Sequence, residues 1–211
     1  ERTTLGDCEE LNFDVPLGPT RLRLALGYLI FETRPDWSAQ FTDDEQYVSL
    51  HRWNWLLRAF TDEPSQPHFA WGCDLMQSWI LTMSPLPEGL ASESYTVGER
   101  ISNACLYARV AGGSWHALPD KISQALLIMA YHLARHLEYY GDEATGNHAL
   151  NNARALYFAG ICLSRPDLAH IARLIIVERL QVLVTGDGFL REGSSHYHFL
   201  FCRWLIEIRI V

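Results

Sequence analysis

Apolar positions recur three and four residues apart along most of this chain, and the polar stretches between them carry the residues that start and stop helices. Asp43 and Asp44 predict the start of a helix carrying Tyr47, Leu50, Trp53, Leu56 and Leu57 on one face. A second helix is expected over about 67–83, after which Ser84-Pro85-Leu86-Pro87-Glu88-Gly89 breaks the pattern. Further helices are expected near 96–112, 119–140, 147–164, 166–185 and 195–210, with Pro119, Pro166 and Ser195 at or near three of the starts. Residues of about 21–32 fit a strand or a helix equally. No other stretch alternates apolar and polar positions with a strand's period of two. The fold class is therefore mainly α, one helical domain over 1–211, with successive helices packed as antiparallel hairpins. No repeat of fixed period supports a regular solenoid, whereas a curved array of hairpins is compatible with the pattern.

Two polar clusters interrupt the apolar text of the last third. The first is Gly146-Asn147-His148-Ala149-Leu150-Asn151-Asn152. If Asn147 opens a helix, then Asn147, His148, Asn151 and Asn152 share its first turn and a half, where backbone N–H groups and the helix dipole favour an anion. Plain helix capping by Asn147 accounts for the same residues without any ligand. The second cluster is Glu192-Gly193-Ser194-Ser195-His196-Tyr197-His198. Ser194 or Ser195 is expected to cap the last helix, whose inward face would comprise Tyr197, Leu200 or Phe201, Trp204, Leu205 and Ile208. An ordinary core tyrosine is the plain reading of Tyr197, yet the histidines and Glu192 around it concentrate more polarity than a core requires. The text between the clusters reads as two helices and a turn, which would fold back and bring both to one cleft.

Composition narrows the classes. In 211 residues, 48% hydrophobic and 20% charged, there is ample material for one core. A formal charge of −8 argues against a nucleic-acid partner, which needs clustered Lys and Arg. No run of about 18 uninterrupted apolar residues is present, so no membrane span is expected, and no charged-then-apolar leader opens the chain. The start at Glu1 suggests a processed or excised segment. Cys8, Cys73, Cys105, Cys162 and Cys202 are scattered and never spaced C-x-x-C, which speaks against a cysteine zinc site and for small buried hydrophobes in four of the five. The seven Trp and nine Tyr suit sugar stacking, although Trp53, Trp55, Trp71 and Trp79 also fit helical core faces.

The run Gly146-Asn147-His148 with Asn151 and Ala155-Leu156, then Asp187-Gly188-Phe189, then Glu192, Ser194, Tyr197 and His198, resembles the heparinase II/III and alginate lyase family. Trp53-Asn54-Trp55-Leu56 and Arg100-Ile101-Ser102-Asn103 are similar in kind to the family's N-terminal region, though less specific. The resemblance implies an incomplete (α/α) toroid that full-length members follow with a β-sandwich completing the active site. No all-β region exists in this sequence, so the chain looks like the helical part alone, with the sandwich as a missing partner. It also implies a bacterial source and a periplasmic or secreted setting.

What such a site would do is β-elimination on a uronic-acid glycan, with no metal or other cofactor. The C5 proton of a uronate is too weakly acidic while the adjacent carboxylate keeps its charge. Asn147 and His148 would neutralise that carboxylate, and Tyr197 would accept and donate protons. Glu192, Arg191, His196, His198, Asn151 and Arg100 are expected to orient groups or bind substrate. Three other readings compete. Glu192 with Asp187, or with Glu99, would serve a toroid glycoside hydrolase that uses paired carboxylates. His132 and His136, or His196 and His198 with His148 or Glu192, have metal-ligand character. A non-catalytic domain that binds acidic glycans would keep the cleft without the chemistry. Gly193-Ser194-Ser195-His196 is no nucleophile elbow, since its spacing is wrong and no strand precedes it.

Overall fold

A computed structural model describes residues 18–62, 68–141, 146–191 and 193–210. It is mainly helical, as the pattern predicts. The undecided first segment is a small antiparallel hairpin, β1 (Arg21–Arg23) and β2 (Tyr28–Ile30), with Leu22 opposite Leu29. Eight α-helices follow among the described residues: α1 (Asp44–His51), α2 (Trp55–Asp62), α3 (His68–Met83), α4 (Ser94–Ala111), α5 (Asp120–Arg135), α6 (His148–Cys162), α7 (Pro166–Leu183) and α8 (Ser195–Arg209). Two of the expected starts are built as the sequence suggests. The Asp43 carboxylate accepts from the N–H groups of Glu45 and Gln46 at 2.9 and 3.1 Å, and the Ser194 hydroxyl accepts from Tyr197 N–H at 3.4 Å.

The single helix expected from Asp43 through Leu57 is two helices. The chain breaks at Arg52–Asn54, where Trp53 takes a left-handed φ of 59°. Three side chains hold the break by taking carbonyls that a continuous helix would use itself. Trp55 Nε1 donates to Leu50 O at 3.0 Å, Arg100 Nε to His51 O at 2.6 Å, and Asn103 Nδ2 to Arg52 O at 2.9 Å. Because Arg100 and Asn103 both belong to α4, helix α4 is the brace that shapes the α1–α2 corner.

Helices α4 and α6 lie side by side and run the same way. Gly98 faces Asn151, Asn152 and Ala155, Glu99 pairs with Arg154, and Cys105 meets Cys162. Helix α5 ends at Arg135, short of the expected 140. There the His136 ring donates from Nδ1 to His132 O at 2.8 Å, and the Ser94 hydroxyl at the start of α4 donates to His136 O at 2.6 Å. The freed segment carries Glu138 to the start of α6. Helix α7 folds back antiparallel to α6, with Gly160 against Ala169 and Tyr157 beside Arg173. A Cβ at Gly160 would lie 2.6 Å from Ala169 N, so the absent side chain is what permits this close approach.

The main core is rich in tryptophan. Trp37, Trp53, Trp55, Trp71 and Trp79 are all enclosed, and four indoles place their N–H on a partner: Trp37 on Ser78, Trp55 on Leu50 O, Trp71 on Pro19 O and Trp79 on His51. Burying one such ring removes about 150–250 Å² from water, worth roughly 4–6 kcal/mol before entropy is charged against it. Enclosure also removes Trp53, Trp55, Trp71 and Trp79 from any role in stacking on a sugar. A smaller core, Leu150, Ala153, Ile176, Leu183, Leu190, Phe201 and Trp204, seats α8 on α6 and α7. Cys73, Cys105 and Cys162 are buried as expected, Cys202 is half-buried, and Cys8 lies outside the described residues. No helix among the described residues is long and apolar enough to cross a membrane.

Candidate functional site

The first polar cluster sits where α4 and α6 begin and the segment after α5 arrives. His148 is the first residue of α6, and 49% of its side chain is exposed. Its Nδ1 meets Glu138 Oε1 at 3.0 Å, and Asn152, one turn along α6, donates to Glu138 Oε2 at 3.3 Å. The Glu138 carboxyl is therefore gripped on both oxygens. Burial would raise its pKa, but the hydrogen bond and charge of His148, with the Asn152 amide, hold it below its ordinary value.

Tyr95, in the first turn of α4, packs its ring on His148 at 4.7 Å between centroids. The Arg52 guanidinium, delivered by the α1–α2 corner, covers the same ring at 5.0 Å. Burial and the Glu99 carboxylate push the Tyr95 phenol up to about 12, against the pull of Arg52, Arg154 and Arg203. Tyr95 is thus a neutral hydrogen-bond donor at any physiological pH.

Beneath this rim lies a charged brace. Arg154, fully buried, joins Glu99 of α4 at 2.6 Å and Glu207 of α8 at 2.7 Å, with its guanidinium over the Trp204 ring at 5.1 Å. Arg203 adds a second contact to Glu207 at 3.1 Å. Three helices are tied together at one point.

The predicted site residues fall in different places. Asn147 is buried beside His148, and its side chain does not cap α6. Asn151 is fully enclosed and donates to Tyr95 O at 3.4 Å. Arg100, expected to reach substrate, has no exposed surface. Its guanidinium is engaged with His51 O and Ala91 O and lies over the Trp79 ring at 4.2 Å. Arg100 and Asn151 hold the wall of the site from behind rather than facing a ligand.

Tyr197 is 45% exposed, so the inward face of α8 begins at Phe201 and Trp204 instead. Its ring stands against His196 at 5.6 Å, and among the described residues no hydrogen bond or ring contact joins it to Asn147 or His148. His198 ties the preceding turn to α8: Leu190 N–H donates to its Nδ1 at 3.4 Å, and its ring meets Phe189 at 5.3 Å. Arg191 and His196 are exposed, and Glu192 lies outside the described residues.

Of the carboxylates nominated for a glycosidase, Glu99 is engaged with Arg154. The Asp187 carboxyl is held below its usual range by the Thr185 hydroxyl, the opposite of what a general acid needs. His132 and His136 stack at 4.1 Å, and among the described residues no group of three or more metal-ligating side chains is assembled.

Sequence reasoning missed Arg52, Tyr95 and Glu138. Glu138 carried a faint signal, as a carboxylate in the polar link just before the Asn-His cluster. Arg52 adjoins the Trp-Asn-Trp run, yet nothing in the sequence pairs either one with Tyr95 or His148. No protein-family model, curated protein or solved structure matches this chain.

Proposed function

We propose that this chain is the helical part, an incomplete (α/α) toroid, of a lyase that cleaves a uronic-acid glycan by β-elimination in an extracytoplasmic setting. The observation that carries the reading is His148: a half-exposed imidazole at the start of α6, fixed on one side by Glu138 and on the other by the Tyr95 ring. The pattern of Asn147, His148, Asn151 and Tyr197 in the sequence supports it.

In this reading the uronate carboxylate lies at the start of α6, where His148 and Asn147 stabilise the negative charge that grows on it as the C5 proton leaves. Tyr197 of α8 takes that proton and returns one to the departing glycosidic oxygen. The bond from C4 to that oxygen breaks as a C4–C5 double bond forms, so no water is consumed. Glu138 keeps the imidazole oriented throughout, because both of its oxygens are tied to α6.

The test is ultraviolet absorbance of the unsaturated uronate product, followed with the intact protein on a panel of acidic glycans. One glycan is expected to give a rise that Tyr197→Phe abolishes and His148→Gln reduces by about 10²–10³ in kcat, the loss typical of one transition-state donor. Absence of the signal on every uronate glycan, with the protein folded, overturns the reading.

A further inference from the structure

Helices α4 and α6 run the same way with small residues facing each other at matched positions. A Cβ at Gly98 would stand 3.7 Å from the Cβ of Ala155. That separation falls inside the range of about 3.5–4.5 Å between the Cβ atoms of a disulfide. Two turns further along each helix, again at matched positions, are Cys105 and Cys162. Both thiols are free, both are buried, and they share a hydrogen bond. The other described cysteines keep different company, Cys73 near Tyr107 and Cys202 with its sulfur 3.7 Å from His198 Nε2.

The paired thiols differ in access. Cys105 has no exposed surface. Cys162, the last residue of α6, lines an open surface pocket of about 290 Å³ together with His116, Gln124 and Ser164. The His116 ring donates from Nδ1 to Cys162 O at 3.1 Å and so fixes this end of α6 against the pocket wall. The hydrogen bond with Cys162, together with burial, pushes the Cys105 thiol well above its ordinary value. Cys105 is therefore a poor first nucleophile, and Cys162 is the sulfur that a reagent in the pocket reaches.

We propose that Cys105 and Cys162 are a redox pair that closes to a disulfide clamping α4 to α6. The oxidant is a low-molecular-weight disulfide that enters by the pocket. The Cys162 thiolate attacks one of its sulfurs, forming a mixed disulfide and releasing one small thiol. Cys105, losing its proton as it reacts, attacks the Cys162 sulfur, and the second small thiol leaves. Two protein thiols are oxidised to one disulfide, while the reagent is reduced to two thiols that take up the two cysteine protons. Because α4 carries Tyr95 and α6 carries His148, the bond fixes the two helices that frame the site. The proposal goes beyond the lyase reading and does not depend on it.

The test is peptide mapping by mass spectrometry under non-reducing conditions, on the intact folded protein before and after incubation with oxidised glutathione. A peptide linking Cys105 to Cys162 is expected after incubation, lost again on adding dithiothreitol. Closing the loop between residues 105 and 162 should raise Tm by roughly 5–15 °C, and dithiothreitol should reverse the rise. Cys105→Ala and Cys162→Ala should each lose that rise, read against the same variant in its reduced form. A cavity left by either truncation therefore does not decide the matter.

Three results overturn the pair: both thiols still captured by maleimide when the incubated protein is unfolded, glutathione left standing on Cys162 as a stable mixed disulfide, or a linked peptide accompanied by a fall in Tm. The last would show that the native separation of α4 and α6 does not fit the bond.

Discussion

Arg154→Met is the sharpest test of how the site is held together. Arg154 is 1% exposed and bridges Glu99 at 2.6 Å to Glu207 at 2.7 Å, so its removal strands the largely enclosed Glu99 carboxylate and leaves Glu207 only its half-exposed contact with Arg203. Breaking a buried pair in this way costs about 3–5 kcal/mol, mostly from the orphaned anions rather than from the lost attraction. The Arg203 contact to Glu207 is half-exposed and offsets little of that cost. Against a total stability of about 5–15 kcal/mol the loss is a large fraction, and at roughly 2–4 °C per kcal/mol it lowers Tm by about 6–20 °C. Urea unfolding followed by tryptophan fluorescence measures it, with Trp204 under the guanidinium as a local probe. Adding Glu99→Gln to Arg154→Met should recover part of the loss, whereas Glu99→Gln alone should destabilise. A cost below about 1 kcal/mol for Arg154→Met, or a double variant no better than the single, refutes the view that α4, α6 and α8 are joined by this charge cluster.

Two further outcomes are expected. Burial, with the Arg100 charge nearby, lowers the His51 pKa from 6.5 to about 3, so the folded ring stays neutral while the unfolded one protonates below 6.5. Stability should therefore fall with pH below that value, by roughly 2 kcal/mol between pH 7 and pH 5, and His51→Gln should remove this slope in urea titrations taken across the range. Gly160→Ala should destabilise despite a helix-propensity gain of about 1 kcal/mol, because the new Cβ would meet backbone atoms of Ala169 at 2.6 and 2.9 Å. A net loss of about 1–3 kcal/mol in chemical denaturation is expected, and a stabilised variant would show that α6 and α7 separate at little cost.

Sequence alone determined the helical class and most of the helix positions. Helix periodicity and caps act over three or four residues, so Asp43, Pro166 and Ser194 mark their helices whatever the rest of the chain does. The polar Asn-His cluster was visible for the same reason: amides and an imidazole interrupting apolar text leave a local trace.

Tertiary structure decided which of those residues meet. Trp53 sits in good helical register, yet the helix breaks there because α4 takes the carbonyls of His51 and Arg52. Arg100 looked like a surface ligand residue and is spent on that brace instead. His148 finds its partners in Glu138 and Tyr95, and the Arg52 guanidinium covers the same tyrosine ring, each arriving from a separate part of the chain. Hydrogen bonds and ring contacts between segments so far apart depend on how helices pack, and helix packing depends on shape complementarity over whole faces. No spacing along one strand of sequence encodes it.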